Sequence, residues 1–240
     1  MDREKMKRTH QYKSISVKVS GGLAIVTLDG TGSIQTLTAD SKRELADFLV
    51  RAGIDSRIRA VLLTGKGRVF CIGSDLQVKA VSTDGRGTRK VSRHIHLPSL
   101  IRDLDKPVVA AVNGYTIGAG LDLALACDMV VASVDAKFCT IPAHDRTHME
   151  NDPLRSSHTE DREDRISSRH IFSTRRIDAE EALHRGIIDR LVQGENLYRE
   201  AKAIAESMSV GKTVSMAFAK RRRNRRAETG ESIWLRRQPV

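Results

Sequence analysis

The sequence predicts an α/β protein with largely parallel strand pairing, and three observations carry that expectation. Ala60-Val61-Leu62-Leu63-Thr64, Val108-Val109-Ala110-Ala111-Val112 and Val130-Val131-Ala132 are continuous apolar runs, the mark of strands covered on both faces. Stretches with helical apolar spacing alternate with these runs, as in repeated strand–helix units. Glycine-containing turns follow the first two runs, at Gly65 and Gly114, where a strand must give way abruptly to the next element.

Each element can be justified in turn. Val17 to Leu28 reads as a hairpin, because Ser20-Gly21-Gly22 separates two short β-branched runs. Leu37 to Ile54 carries Leu37, Leu45, Phe48, Leu49 and Ile54 among charges, which predicts an amphipathic helix ending near Gly53. The strand at 60–64 follows, then a turn from Gly65 and Gly67. A second amphipathic stretch covers about Val91 to Leu104, and Pro107 opens the strand at 108–112. Leu121 to Cys127 reads as a helix of small residues packed closely on a neighbour, before the strand at 130–132.

Between Pro142 and His170 the texture changes. Seven acids, five arginines and four histidines surround only four aliphatic residues, so this segment supplies no ordinary core face and reads as a solvated helix or loop. Order resumes at Ile171. Ala179 to Gly186 is a helix capped by Asp178, Ile187 to Val192 a short strand, and Leu197 to Met208 a helix followed by a basic tail.

The chain has 240 residues, 40% of them hydrophobic, which suits one large domain with a sizeable core. No apolar run approaches the roughly 20 residues of a membrane helix, and the charged Met1 to Lys13 lacks a signal-peptide core. Cys71, Cys127 and Cys139 lie in apolar runs without paired spacing, so buried free thiols are expected and no disulfide or zinc site. The expectation is a cytoplasmic protein without membrane contact.

The net charge of +11 concentrates at the ends, +3 in residues 1–13 and +6 in residues 219–240. Basic ends attract nucleic acid or phosphorylated ligands, or are simply solvated. Arg221, Arg222, Arg223, Arg225 and Arg226 are not interleaved with aromatics, which argues against base stacking, so no nucleic-acid partner is expected.

Two strand-to-helix junctions carry the chemistry. One runs from Gly65 through Gly73-Ser74-Asp75-Leu76, the other from Asn113-Gly114 through Gly118-Ala119-Gly120 to Asp128. Small residues there either permit close packing and nothing more, or aim two backbone N–H groups at one oxygen, as an oxyanion hole for a thioester carbonyl requires. Three other patterns fall away. Gly211-Lys212-Thr213 lacks the glycine a phosphate loop needs at position 206, which is Glu. His144 and His148 have a metal-compatible spacing but no third ligand, so no metal is expected. No Ser-His-Asp arrangement is local enough to argue for a nucleophile.

Here the sequence resembles the crotonase (enoyl-CoA hydratase/isomerase) superfamily. Arg68 to Leu76 is similar to its first motif and Lys106-Pro107-Val108 through Asp128 to its second. Arg176-Ile177-Asp178-Ala179-Glu180-Glu181-Ala182 with Gly186 is similar to its third. The resemblance implies a spiral of ββα turns over a core at 14–192, with a helical C-terminal region and basic tail at 193–240. Homotrimers stacked into hexamers are implied by the same analogy. It implies an acyl-CoA substrate from fatty-acid-type metabolism, with coenzyme A arriving as part of that substrate and no separate cofactor. Oxyanion-hole amides would come from Ser74 and Ala119. Substrate contacts would come from Lys66, Arg68, Cys71, Ile72, Gly73, Leu76, Gly118 and Pro142, with Lys66 and Arg68 toward the CoA phosphates.

Hydratases of this family use two glutamates. The first falls on Asp122, one methylene shorter, as in the related dienoyl-CoA isomerases; by itself an acid there is also favoured by the helix dipole. The second has no carboxylate to match it, since the chain reads Ile141-Pro142-Ala143; Asp145, Glu150 and Asp152 are the nearest acids beyond. The expectation is therefore a lyase or isomerase with Asp122 as the matched acid, and doubtful ordinary hydration. The alternative is a crotonase-fold CoA-ester binder, or a subunit supporting a partner enzyme, without activity of its own.

Overall fold

Gly21 and Gly22, at φ of 59° and 89°, close a two-residue hairpin between β1 (Ile15–Ser20) and β2 (Leu23–Leu28). Positive φ at both turn residues is what a tight hairpin matched to strand twist demands, and glycine adopts it without strain. The architecture beyond this hairpin comes from a computed structural model, which describes residues 12–30, 35–73, 95–139, 175–211 and 213–229.

Helix α1 (Ala39–Ile54) starts at Thr38, whose hydroxyl accepts from the Ser41 N–H, and buries Leu45, Phe48 and Leu49. Strands β3 (Ala60–Gly65) and β4 (Val69–Cys71) follow, then α2 (Leu97–Asp103), β5 (Val108–Val112), β6 (Tyr115–Ile117) and α3 (Ala119–Leu125). The chain continues through β7 (Met129–Ser133), β8 (Lys137–Cys139), β9 (Ile177–Asp178), α4 (Ala179–His184) and β10 (Arg190–Val192) to α5 (Leu197–Val210) and α6 (Thr213–Thr229).

The strands form two sheets. The larger has the order β1-β2-β3-β5-β7-β10, parallel throughout except for the β1–β2 hairpin. The smaller has the order β4-β6-β8-β9, with β9 antiparallel to β8. The chain thus lays one strand in the large sheet, one in the small sheet and then a helix, which is the ββα repeat. Period-two alternation explains the continuous apolar runs. Leu62, Val109, Ala111 and Val131 face α5, whose Ala201 and Ala205 are small enough to let it lie close. Val61, Leu63, Val108, Ala110, Val112 and Val130 face the other core, shared with α1 to α4 and the small sheet through Phe70 and Phe138.

Most expected elements form with ends displaced by a few residues. The helix expected at 91–104 is described only as α2, and the strand expected at 187–192 only from Arg190. The three-residue strands β4, β6 and β8 are too short to leave an apolar period. One expectation needs correction. The basic run after residue 219 is not a solvated tail in its described part: it belongs to α6, which docks on the body. Lys220 is 8% exposed and donates to Ile101 O, Lys106 O and Asp128 Oδ2 at 2.8, 3.0 and 2.7 Å. Arg221 pairs with Asp105, Arg223 with Asp128, and the Asn224 amide donates to Arg102 O at 2.7 Å.

Backbone lies on backbone at three glycines, two at the junctions between the sheets and one in α3 against β4. A Cβ on Gly65 would stand 2.2 Å from Val69 O, one on Gly114 1.9 Å from Arg68 O, and one on Gly120 2.1 Å from Cys71 O. Gly53, by contrast, lies inside α1 with Leu104 Cδ1 at an ordinary 3.6 Å. Gly114→Ala is expected to cost about 3 kcal/mol or more, because the obstructing atom is backbone and cannot swing away. Gly53→Ala is expected to stabilise by about 0.4–1 kcal/mol through lower unfolded-state entropy. Urea denaturation of both variants checks the pair, and equal changes would contradict the packing account.

Candidate active site

The site is assembled where two junctions leave the large sheet. β3 passes to β4 through Gly65-Lys66-Gly67, and β5 passes to β6 through Asn113-Gly114. The Asn113 side chain ties the two: its Oδ1 accepts from the Gly65 N–H at 3.2 Å, and its Nδ2 donates to Gly67 O and Val69 O at 2.7 and 3.3 Å. An amide is the one short side chain that offers both an acceptor and two donors. Thr64 adds a bond from its hydroxyl to Ala111 O at 2.9 Å. Asn113 lies within the second glycine motif, and its signal in the sequence is a side-chain donor–acceptor placed directly after a buried strand.

Beyond the junctions, β4 and β6 run parallel, with Val69 opposite Tyr115 and Cys71 opposite Thr116. That pairing brings the ends of both strands, Gly73 and Gly118, to the same edge of the small sheet. The end of β4 is held from the other side, where Ile72 N–H donates to Gln35 O at 2.9 Å and Leu37 N–H to Gly73 O at 2.7 Å. Gly73 has φ of 98°. Gly118, at φ 53° and ψ −121°, turns the chain from β6 straight into α3 with no loop between. This is a conformation that a side chain would oppose. Its own N–H still donates to Cys139 O at 3.0 Å, extending the β6–β8 ladder to the last residue before the helix.

Ala119 is the first residue of α3, and its N–H belongs to the turn that has no acceptor within the helix. Asp122 lies in the same first turn, with its N–H on Gly118 O at 3.0 Å. Its side chain is partly buried, with Oδ1 shut off from solvent, and its negative charge is felt by the Cys71 thiol. The structure therefore places Gly73, Gly118, Ala119 and Asp122 around one sheet edge.

Four more of the expected residues fall among the described ones. Lys66 sits on the first junction and pairs at the surface with Asp29, Nζ to Oδ1 at 2.8 Å. Arg68 lends its carbonyl to the Gly114 contact, and Ile72 is half-buried beside Gly73. Cys71 is fully buried in the core beneath. Ser74, Leu76 and Pro142 lie outside the described residues, as do Asp145, Glu150 and Asp152 and the histidines 144 and 148. Among the described residues no cluster of three or more His, Cys, Asp or Glu is placed to hold a metal ion, and no helix is long and apolar enough to cross a membrane.

The cysteines are graded by burial. Burial, with a further push from Asp122, raises the Cys71 thiol to about 11. Cys127, on Leu123 O at 3.4 Å, is raised further, and half-exposed Cys139 is raised by burial with Arg176 opposing. A thiol reagent at pH 8 is expected to modify Cys139 first and to reach Cys71 and Cys127 only on unfolding, as the thiolate is the reacting species. Mass spectrometry of timed samples checks the order; simultaneous loss of all three thiols in the folded protein would contradict it.

Comparison with known proteins gives a consistent result. The family model described as enoyl-CoA hydratase/isomerase matches residues 18–234. The chain is 29% identical over 229 residues to the short-chain-enoyl-CoA hydratase of Clostridium acetobutylicum, covering 90% of this chain and 82% of that one. It is 29% identical over 214 residues to the carnitinyl-CoA dehydratase of Proteus mirabilis, covering 87% and 79%. Among solved structures, a monofunctional enoyl-CoA isomerase from M. smegmatis superposes with a TM-score of 0.73 at 25% identity, covering 92% of this chain and 96% of that one.

Proposed function

Because the chain belongs to the enoyl-CoA hydratase/isomerase family, we propose that it binds an enoyl-CoA thioester with the carbonyl oxygen between the N–H groups of Ser74 and Ala119. Asp122 then moves a proton at the neighbouring carbons. The observation that carries this reading is the parallel pairing of β4 with β6 followed by the Gly118 turn, which sets Ala119 N–H and the Asp122 carboxylate in one helical turn at the same sheet edge. Hydrogen bonds from fixed backbone donors stabilise the negative charge that gathers on the thioester oxygen as an enolate forms.

One matched carboxylate supports a double-bond shift most directly. Asp122 takes a proton from one carbon, the electron pair moves into the thioester as the enolate, and the same carboxylate returns the proton to another carbon; nothing is gained or lost. Hydration additionally needs a water delivered and a second proton carrier, for which Asp145, Glu150 and Asp152 are the nearest acids in sequence. Lys66 and Arg68, on the junction before β4, supply positive charge for the CoA phosphates. The absence of a carboxylate in Ile141-Pro142-Ala143 favours one other reading, a CoA-ester binder that supports a partner enzyme without turnover.

Ala119→Pro deletes the single N–H in question at a position where proline fits a helix. It is expected to lower kcat about 10²–10³-fold with the fold retained. Asp122→Asn is expected to lower kcat about 10²–10⁴-fold with CoA-ester affinity little changed. The assays are loss of enoyl absorbance from crotonyl-CoA for hydration and double-bond migration in a 3-enoyl-CoA for isomerisation. Wild-type kinetics in the Asp122 variant would remove that residue from the mechanism. Tight binding of both esters without turnover by the wild type would favour a different acyl substrate or the supporting-subunit reading.

A further inference from the structure

We propose that Lys220 is a positioning residue for the acyl-binding end of α3: its ammonium anchors the rear of that helix, through Asp128, to α2 and β5. The proposal rests on the reading of Ala119 and Asp122 just given. Within Lys220-Arg221-Arg222-Arg223-Asn224-Arg225-Arg226 the run contains a single lysine, and among residues 220–224, whose side chains are described, that lysine is the buried one.

The ammonium has three hydrogens, and three acceptors meet it: Ile101 O in the last turn of α2 at 2.8 Å, Lys106 O just before β5 at 3.0 Å, and Asp128 Oδ2 at 2.7 Å. Asp128 stands three residues past the end of α3. Its Oδ2 also accepts from Val108 N–H at 2.8 Å, its Oδ1 accepts from Arg223 at 2.7 Å, and its own N–H donates to Val108 O at 2.7 Å. The front of α3 is pinned by Gly120 against Cys71. A helix of seven residues held at both ends has little freedom to slide.

Removing the ammonium leaves Asp128, with a side chain only 11% exposed, facing two backbone carbonyls that have also lost their donor. The relief is for Asp128 to turn toward the half-exposed Arg223 and water, and Asp128 closes the three-residue link from α3 to β7. Arginine is not equivalent at this point. Its planar fork cannot direct hydrogens at three diverging acceptors as a compact ammonium does. Displacement of about 1 Å at a reacting centre is enough to cost about 10²-fold in rate.

The test uses Lys220→Met and Lys220→Arg, with Leu62→Ala on the opposite face of the large sheet as a destabilised control. The probe is cinnamoyl-CoA, whose absorption moves to longer wavelength when its carbonyl oxygen is drawn into hydrogen bonds. Wild type is expected to show the shift on binding. Both Lys220 variants, at a temperature where circular dichroism is native, are expected to lose about half of it or more and at least about tenfold in kcat on the enoyl-CoA that wild type turns over, with CoA affinity within about twofold. Leu62→Ala is expected to keep the shift despite a lower Tm. Retention of shift and kcat in either Lys220 variant overturns the proposal, as does equal loss in Leu62→Ala. Failure of both variants to fold assigns Lys220 to stability alone and overturns it as well. Absence of binding or of a shift in wild type overturns the acyl-CoA reading, and this proposal with it.

Discussion

The arrangement depends on backbone lying directly against backbone where the two sheets join and where α3 meets β4. At Gly65, Gly114 and Gly120 the facing atoms are carbonyl oxygens of the chain itself, at distances no side-chain carbon can occupy. Without that approach β4 and β6 would stand farther from the ends of β3 and β5, and the start of α3 would lift away from Cys71. Gly65, Gly114 and Gly120 serve packing, whereas Gly118 serves direction, since its φ of 53° is what sends the chain from strand to helix in one residue. The chemistry proposed for Ala119 is a by-product of packing this tight.

A second constraint is how helix ends are closed inside the protein. Lys106 is 4% exposed and donates from its ammonium to Ala52 O and to Asp55 O, the carbonyls at the end of α1. Lys220 does the same for α2. Buried ammoniums are costly to desolvate, and burial pulls both below their ordinary lysine values. They are retained because each meets helix C-terminal carbonyls, where positive charge is favoured and where the last C=O groups lack partners within the helix. Asp128 adds a full counter-charge at Lys220, so the cost there is met locally rather than by exposing the group.

The sequence was legible where a pattern repeats. Three apolar strands, the Gly21-Gly22 turn, the helix expected over Leu37 to Ile54 and the Asp178 cap all follow from periodicity or turn chemistry, and the structure bears them out with ends displaced by a residue or two. Strands β4, β6 and β8 were not legible as strands, because three residues span too little of a period-two pattern; they appear only as the flanks of glycine motifs. The basic run misled for a physical reason. Composition weighs Lys220, Arg221 and Arg223 as solvent-facing charges, but their acceptors, Asp105, Asp128 and the carbonyl of Ile101, are about a hundred residues away in sequence. The change from arginine to lysine at 220 was the available clue. The junctions around Ala119 and Asp122 were legible through their glycines and their resemblance to a family, not through any feature of the acid itself.

The shortness of Asp122 bears on which reaction the site suits. On the proposed reading, the carboxylate and the Ala119 N–H share the first turn of a helix whose front is fixed against β4. A side chain with one methylene fewer than glutamate keeps its oxygens near that turn and hence near the thioester carbonyl. Carbons next to the carbonyl are acidified by it, so a base held close serves proton abstraction and return. A base meant to hold water against the β carbon needs a second proton carrier on the far side as well, whereas abstraction at the α carbon and return at the γ carbon need only the one carboxylate. Asp122 also has an oxygen shut off from solvent and a core thiol as neighbour, a setting that favours handing a proton to carbon over trading it with bulk water. On the proposed reading, a single matched carboxylate is thus better suited to moving a double bond along the acyl chain than to adding water across it.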